Sequence, residues 1–302
     1  MLCMLMVMIA GSLFIAIPAY AGFGQGNGFG ADSLSEGFPA EPEGSRYFIH
    51  DTFEKFVLVA VFSGIAVILL LKKRSLRKPF LVAAVVILGF VAGGFLCPFM
   101  SVQNIFLRFQ TGYLLLFLVP SVLAIALGRV YCGFVCPFGA IQELLHIPTY
   151  RFNIPHWLLT ILQKIKYVVL GYLVVRYLVT NVPVLSGLTP FNALFSFGGT
   201  MPALVLTGIT ASISLIVFRP FCQIVCPLGA WLGICSLLSR KNMVPAGCKQ
   251  CDLCAPKCGV QGISRGNIRK MECIACGQCV DHCPLTRKKK YMNNTAKKIK
   301  AA

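Results

Sequence analysis

Charge is what this 302-residue sequence has least of: Asp, Glu, Lys and Arg together make up 13% of it. Hydrophobic residues make up 57% and the mean hydropathy is +0.76. An ordinary soluble globule, with about 25% charged residues, is thereby excluded. Histidine is scarcer still. The four, His50, His146, His156 and His282, fall outside the long apolar runs. A membrane-embedded haem pair takes its axial ligands from within such runs, so no haem is expected. No aromatic-basic recognition module is present either, so the net charge of +18 does not point to nucleic acid.

What is there instead is a series of apolar runs, at about 55–71, 79–97, 112–128, 164–182 and 203–218, long enough to cross hydrocarbon. With these spans the basic loops share one side. Segment 72–78 holds five Lys or Arg, 129–166 four and 219–302 fifteen, so 24 of 28 lie together. The positive-inside rule makes that side cytoplasmic. Six of the ten acidic residues (Asp32, Glu36, Glu41, Glu43, Asp51 and Glu54) fall on the other side. Residues 1–21 are apolar and end in "PAYAG", which reads as a cleaved signal peptide or an extra helix. Residues 22–52 read as an exported flexible linker. The basic tail, 287–302, reads as a feature that sits beside anionic lipid.

The transmembrane domain, 53–241, contains a repeat. An outer Pro-Phe turn in "GGFLCPFMSVQNIF" precedes a span and then Cys132-x3-Cys136-Pro137; "SGLTPFNALFSFGG" precedes a span and then Cys222-x3-Cys226-Pro227. The units run over 93–145 and 186–238, and such duplication implies pseudo-symmetry around a shared site. Arg129 and Arg219 suit snorkelling positions at the inner ends of their helices. The four cysteines admit three readings: a metal or redox pair, a wall of a quinone site with Gln142, Arg129 and Arg219, or small residues packed at a bend. Proline after the second cysteine fits the first turn of an interfacial helix. Trp157 and Trp231 fit an interfacial aromatic belt or a wall beside a quinone ring.

The strongest signal lies at 242–286. Cys248-x2-Cys251-x2-Cys254-x3-Cys258 is followed by Cys273-x2-Cys276-x2-Cys279-x3-Cys283-Pro284. This is the two-cluster ferredoxin run, in which the fourth cysteine of each set ligates the other cluster. The expected sets are Cys248, Cys251, Cys254 and Cys283 for one [4Fe–4S] cluster, and Cys273, Cys276, Cys279 and Cys258 for the second. Zinc is the alternative for paired CxxC, but four ligands per ion leave the doubled run unexplained. Lys249, Lys257, Arg265, Arg269, Lys270 and Arg287 offset the negative charge that two such clusters carry.

The motifs "YCGFVCPFGA" and "FCQIVCPLGA", with the two cluster runs, resemble the polytopic ferredoxin-type quinol-dehydrogenase membrane components (the NapH/MauN group). Nitrous-oxide reductase regulators and a copper-reducing oxidase assembly factor are its relatives. The resemblance covers about residues 55–285. It implies an inner-membrane, multi-pass protein passing electrons between the quinone pool and iron–sulfur or c-type cytochrome partners. The short N-terminal segment lacks the flavin domain of the regulators, and the assembly factor's C-terminal extension is missing too.

The expectation is therefore an all-α polytopic membrane protein of about five transmembrane helices with an internal repeat. A cytoplasmic ferredoxin-like domain with two [4Fe–4S] clusters follows. Its leading function is electron exchange between quinol and the clusters, as a subunit of an oxidoreductase system. The alternatives are a maturation factor that reduces copper, and a redox sensor.

Overall fold

The computed structural model describes residues 52–72, 76–92, 111–147, 154–180, 190–195, 201–239, 248, 251, 253–264 and 267–284. The expectations for 1–21, for nearly all of 22–52, for the first Pro-Phe turn and for 287–302 lie outside these residues.

Helix α1 (Thr52–Lys72) buries Val59, Phe62, Ala66 and Leu70, and exposes Val57, Val61, Ile65, Ile68 and Leu71. Both faces are apolar, which suits a helix with protein on one side and lipid on the other. Helix α2 (Arg77–Ala84) continues as a π-helical stretch, Val85–Val91. Helix α3 (Thr111–Leu127) carries Pro120 inside it. Helix α4 (Pro137–Leu145) follows, and α5 (His156–Thr180) starts well before the expected span at 164. Then come α6 (Pro190–Phe195), α7 (Met201–Ser214), α8 (Pro220–Ile224) and α9 (Pro227–Leu237). Among the described residues two segments, Phe53–Leu71 and Trp157–Arg176, are long and apolar enough to cross a bilayer. The described parts of α3 and α7 are apolar but shorter.

The two Cys-Pro units fold alike. Each copy has one left-handed residue before its cysteines, Gly128 (φ 83°) directly after α3 in the first and Arg219 (φ 49°) five residues after the end of α7 in the second. Left-handed backbone is unstrained for glycine and costly for arginine, so Arg219 is held there by its side-chain contacts. Each second cysteine is extended and caps the next helix: Cys136 has φ −61° and ψ 112°, Cys226 φ −60° and ψ 113°. Pro137 and Pro227 then open α4 and α9, where no backbone N–H is needed.

The copies also exchange partners. Helix α9 of the second packs on α3 of the first, while α4 of the first packs on α7 of the second. The C-terminal segment adds a short turn (Ala255–Lys257), a two-stranded antiparallel ladder and α10 (Gln278–Asp281). The strands are β1 (Ile263–Ser264) and β2 (Asn267–Ile268), with Ile263 paired to Ile268. Val260, Ile263, Ile274 and Ala275 belong to the same core as Tyr131, Phe134 and Leu232. The cysteine-rich segment is thus seated on the helical body.

Candidate functional site

Cys258, Cys273, Cys276 and Cys279 line one cavity, walled by Val260, Ile263, Ile268 and Ile274. Ala275 (φ 53°) and Gly277 (φ 79°) coil the loop that carries three of them. Non-glycine residues rarely take that backbone, and here it wraps the loop tightly enough for three sulfurs to face one space. Backbone amides point inward too: Gly262 N–H donates to Cys258 Sγ at 3.3 Å, and the amide of Ala275 faces Cys273. Burial, then the neighbouring sulfurs, push the Cys279 thiol up to about 12; burial does the same for Cys273 against the Ala275 amide, with Cys276 and Cys258 adding to it. Such thiols become thiolates in company with a cationic core. Elsewhere Cys254 lies within electrostatic reach of Cys248, Cys251 and Cys283. Cys283 is buried and Cys251 exposed.

Among the described residues no three His, Cys, Asp or Glu side chains converge as closely as a single metal ion requires. A zinc ion draws its thiolates in to about 2.3 Å; an iron–sulfur cubane is a larger body and holds its ligands further apart. Four cysteines around an apolar cavity with inward amides fit the cubane.

The cavity rests on the Cys-Pro turns. A Cβ at Gly133, inside Cys132-x3-Cys136, would collide with the carbonyl oxygen of Ile274, which lies between Cys273 and Cys276. A Cβ at Gly233 would meet the Met271 carbonyl at 3.0 Å. Arg129 donates to that carbonyl at 2.7 Å, and Ser236 Oγ donates to Lys270 O at 3.0 Å. Glu272, one residue before Cys273, is clasped from below. Lys166 on α5 pairs with its Oε2, Arg129 stands 3.7 Å from the same oxygen, and Tyr167 Oη donates to Oε1 at 3.5 Å. Lys166 is fully buried. Removing one partner of a buried pair costs about 3–5 kcal/mol, whereas replacing both by apolar residues is often neutral. Glu272→Gln is therefore expected to lower thermal stability in detergent markedly, and Lys166→Met/Glu272→Leu to recover most of it. A double variant as unstable as the single one would show that the pair is not what seats the segment.

The arginines expected to snorkel do otherwise. Arg129 and Arg219 are 2% and 1% exposed, and each crosses into the other copy. Arg219 donates to Cys132 O and to Glu143 on α4 (Nη2–Oε2 2.6 Å). Arg129 Nη2 lies 2.9 Å from the position a Cβ would take at Gly229, in the second copy; Arg219 Nη1 stands equally close to Gly139, in the first. A glycine stands two residues after each Cys-Pro, at Gly139 and Gly229, where the opposite guanidinium occupies the space a side chain would fill. Gln142 is 1% exposed; its amide donates to Cys222 Sγ at 3.4 Å and accepts from Phe221 N at 3.2 Å. The three polar groups expected around a quinone ring are thus engaged within the protein. Trp157 is exposed, whereas Trp231 turns inward, packing at a tilt against Phe117 and donating to Ser121 Oγ at 3.1 Å.

Comparison with known proteins adds chemistry to this geometry. A family model described as a 4Fe-4S binding domain matches the chain twice, over residues 109–155 and 200–244. Those stretches hold the two Cys-Pro motifs; the C-terminal run lies beyond them. The chain is 31% identical over 124 residues to an uncharacterised protein of Methanocaldococcus jannaschii, covering 39% of this chain and 50% of that one. It is 28% identical over 149 residues to an Escherichia coli protein named "Putative electron transport protein YccM", covering 44% and 41%. The chain spans half or less of the length of these relatives. No solved structure matches it.

Proposed function

We propose that this chain is a multi-pass membrane protein that exchanges electrons between the quinone pool and redox partner proteins, as a quinol-dehydrogenase component of the NapH/MauN type. The observation that carries the reading is the direct seating of the Cys258/Cys273/Cys276/Cys279 cavity on the duplicated Cys-Pro turns, backbone against backbone at Gly133 and Ile274.

In this reading α1, the α2 segment, α3, α5 and α7 cross the inner membrane, and the basic loops hold the C-terminal segment in the cytoplasm. Cys273, Cys276, Cys279 and Cys258 hold one [4Fe–4S] cluster; Cys248, Cys251, Cys254 and Cys283 hold the other. When bound, each cluster stores one electron, so two clusters match the two electrons released as a quinol becomes a quinone, both protons passing to water. The chain's own residues do the rest. Val260, Ile263, Ile268 and Ile274 exclude water from the inner cluster, and the Gly262 amide steadies its Cys258 ligand. Cys251, exposed, puts the outer cluster where a soluble iron–sulfur protein or cytochrome reaches it. Because Gln142, Arg129 and Arg219 are engaged, the quinone meets this layer at its lipid-facing rim.

The test is reduction by a short-chain quinol analogue of anaerobically purified protein in detergent, with no partner added. Bleaching of the cluster absorbance and appearance of reduced-cluster EPR signals are expected. Clusters that dithionite reduces and quinol leaves oxidised would rule out quinol as donor.

A further inference from the structure

An apolar cavity is a poor place to add an electron. Val260, Ile263, Ile268 and Ile274 wall the Cys258/Cys273/Cys276/Cys279 cavity against water, and added negative charge without water to solvate it is costly. Fixed charge nearby has to offset that cost, and it stands beneath the loop that opens at Cys273. Arg129 donates to the Met271 carbonyl at 2.7 Å. Cys273 follows two residues on, within about 7 Å of chain, and Arg129 acts on it electrostatically. The Arg129 Nε is buried with no hydrogen-bond partner.

The charges at this spot do not cancel. Arg129 and Lys166 are both sealed from solvent, and the carboxylate between them is Glu272. Lys166 pairs with Oε2 directly, while Arg129 stands 3.7 Å from it. Two cations and one carboxylate leave a net charge of +1, and Arg129 is the less closely paired of the two. Arg269 and Lys270, just before Glu272, are half-buried, where water screens them more strongly. Arg129 also faces Cys132 and Cys226. Their protonation alters the total charge but not the change made by removing the guanidinium. The other C-terminal cysteines are placed differently. Cys254 is within electrostatic reach of Cys248, Cys251 and Cys283, and Cys251 is exposed to solvent.

We propose that Arg129 sets the reduction potential of the inner cluster, holding it above the value that the apolar cavity alone would give. The inference rests on the reading above for the cluster itself. A buried cation favours the state that carries one more electron, so Arg129 stabilises the reduced cluster without touching a ligand. Glu272, beside it, works in the opposite sense. Because a quinol is a mild donor, a raised potential is what lets the inner cluster accept its electron.

The test is a potentiometric titration of the full chain, purified anaerobically in detergent and followed by EPR. The inner signal is the one that Cys276→Ser perturbs. With Arg129→Gln its midpoint should fall. At the wild-type midpoint the ratio of oxidised to reduced cluster then rises about tenfold, equivalent to about 59 mV for one electron. Arg129→Lys keeps the charge and should restore most of the wild-type value. Glu272→Gln should move the midpoint upward, and Lys166→Met/Glu272→Leu, which keeps the net charge, should leave it in place. The outer signal should stay fixed throughout. An inner midpoint that Arg129→Gln leaves unchanged, or that Arg129→Gln and Glu272→Gln move in the same direction, overturns the inference and leaves the cluster standing. Should Arg129→Gln not fold, a midpoint that Glu272→Gln fails to raise overturns it as well. A wild type with no signal sensitive to Cys276→Ser sinks the cluster reading and this inference together.

Discussion

Glutamine at position 143 is expected to destabilise the protein by about 3–5 kcal/mol, the cost of breaking a buried ion pair from one side. Glu143 is shared. Arg77 reaches it with both terminal nitrogens, at 2.5 Å to Oε1 and 2.8 Å to Oε2, and Arg219 reaches Oε2 with Nε at 3.0 Å and Nη2 at 2.6 Å. Glutamine keeps the shape and loses the charge, leaving two guanidiniums buried with no carboxylate. The position also carries a pH signature. Burial raises the Glu143 carboxyl, but Arg219 and Arg77 overrule it and hold it below its ordinary value of 4.5. A carboxyl depressed on folding stabilises fully above its unfolded value, and that stabilisation drains away as pH falls through the lower folded value. Thermal unfolding followed by circular dichroism should show a gap between wild type and Glu143→Gln that is widest near neutrality and narrows below 4.5. A gap that stays constant with pH would mean that the variant acts through packing.

Some of this architecture is legible in the chain because it is written in spacing. The Cys-x3-Cys-Pro units announce the duplication, and proline at the first helical position announces where α4 and α9 begin. The apolar runs mark α1 and α5, though the start of α5 at His156 is hidden by the polar Gln163, Lys164 and Lys166. The charged layer is not legible in the same way. Arg77 and Glu143 are 66 residues apart, Arg219 and Glu143 76, and Lys166 and Glu272 106. Pairing over such separations depends on how the helices cross, and no local period encodes it. The snorkelling expected of Arg129 and Arg219 fails for the same reason. A guanidinium at a helix end has both water and protein within reach, and here the exchanged copies offer carbonyls and carboxylates that the bilayer edge does not. Lys166 did leave a trace. An ionisable side chain within an apolar run is a functional candidate on its own, and with ten acidic residues in the chain, Glu143 and Glu272 were few enough to weigh as its partners.

Two C-terminal clusters that exchange their fourth ligands, as proposed above, would have a large consequence: one substitution should remove or transform a whole cluster. Cys258 lines the cavity of Cys273, Cys276 and Cys279, fifteen residues before the first of them, while Cys254 faces Cys283. Serine in place of a thiolate ligand weakens the affected cluster and shifts its spectrum, since the hard oxygen is a poorer match for iron–sulfur chemistry. Combining each ligand variant with Cys276→Ser or Cys251→Ser identifies which cluster it touches. The decisive measurement is EPR of the dithionite-reduced protein carrying Cys258→Ser or Cys283→Ser. Cys258→Ser is expected to perturb the same signal as Cys276→Ser, and Cys283→Ser the same signal as Cys251→Ser. If Cys258→Ser instead perturbs the signal that Cys251→Ser perturbs, each run holds its own cluster and the crossed ligation is contradicted.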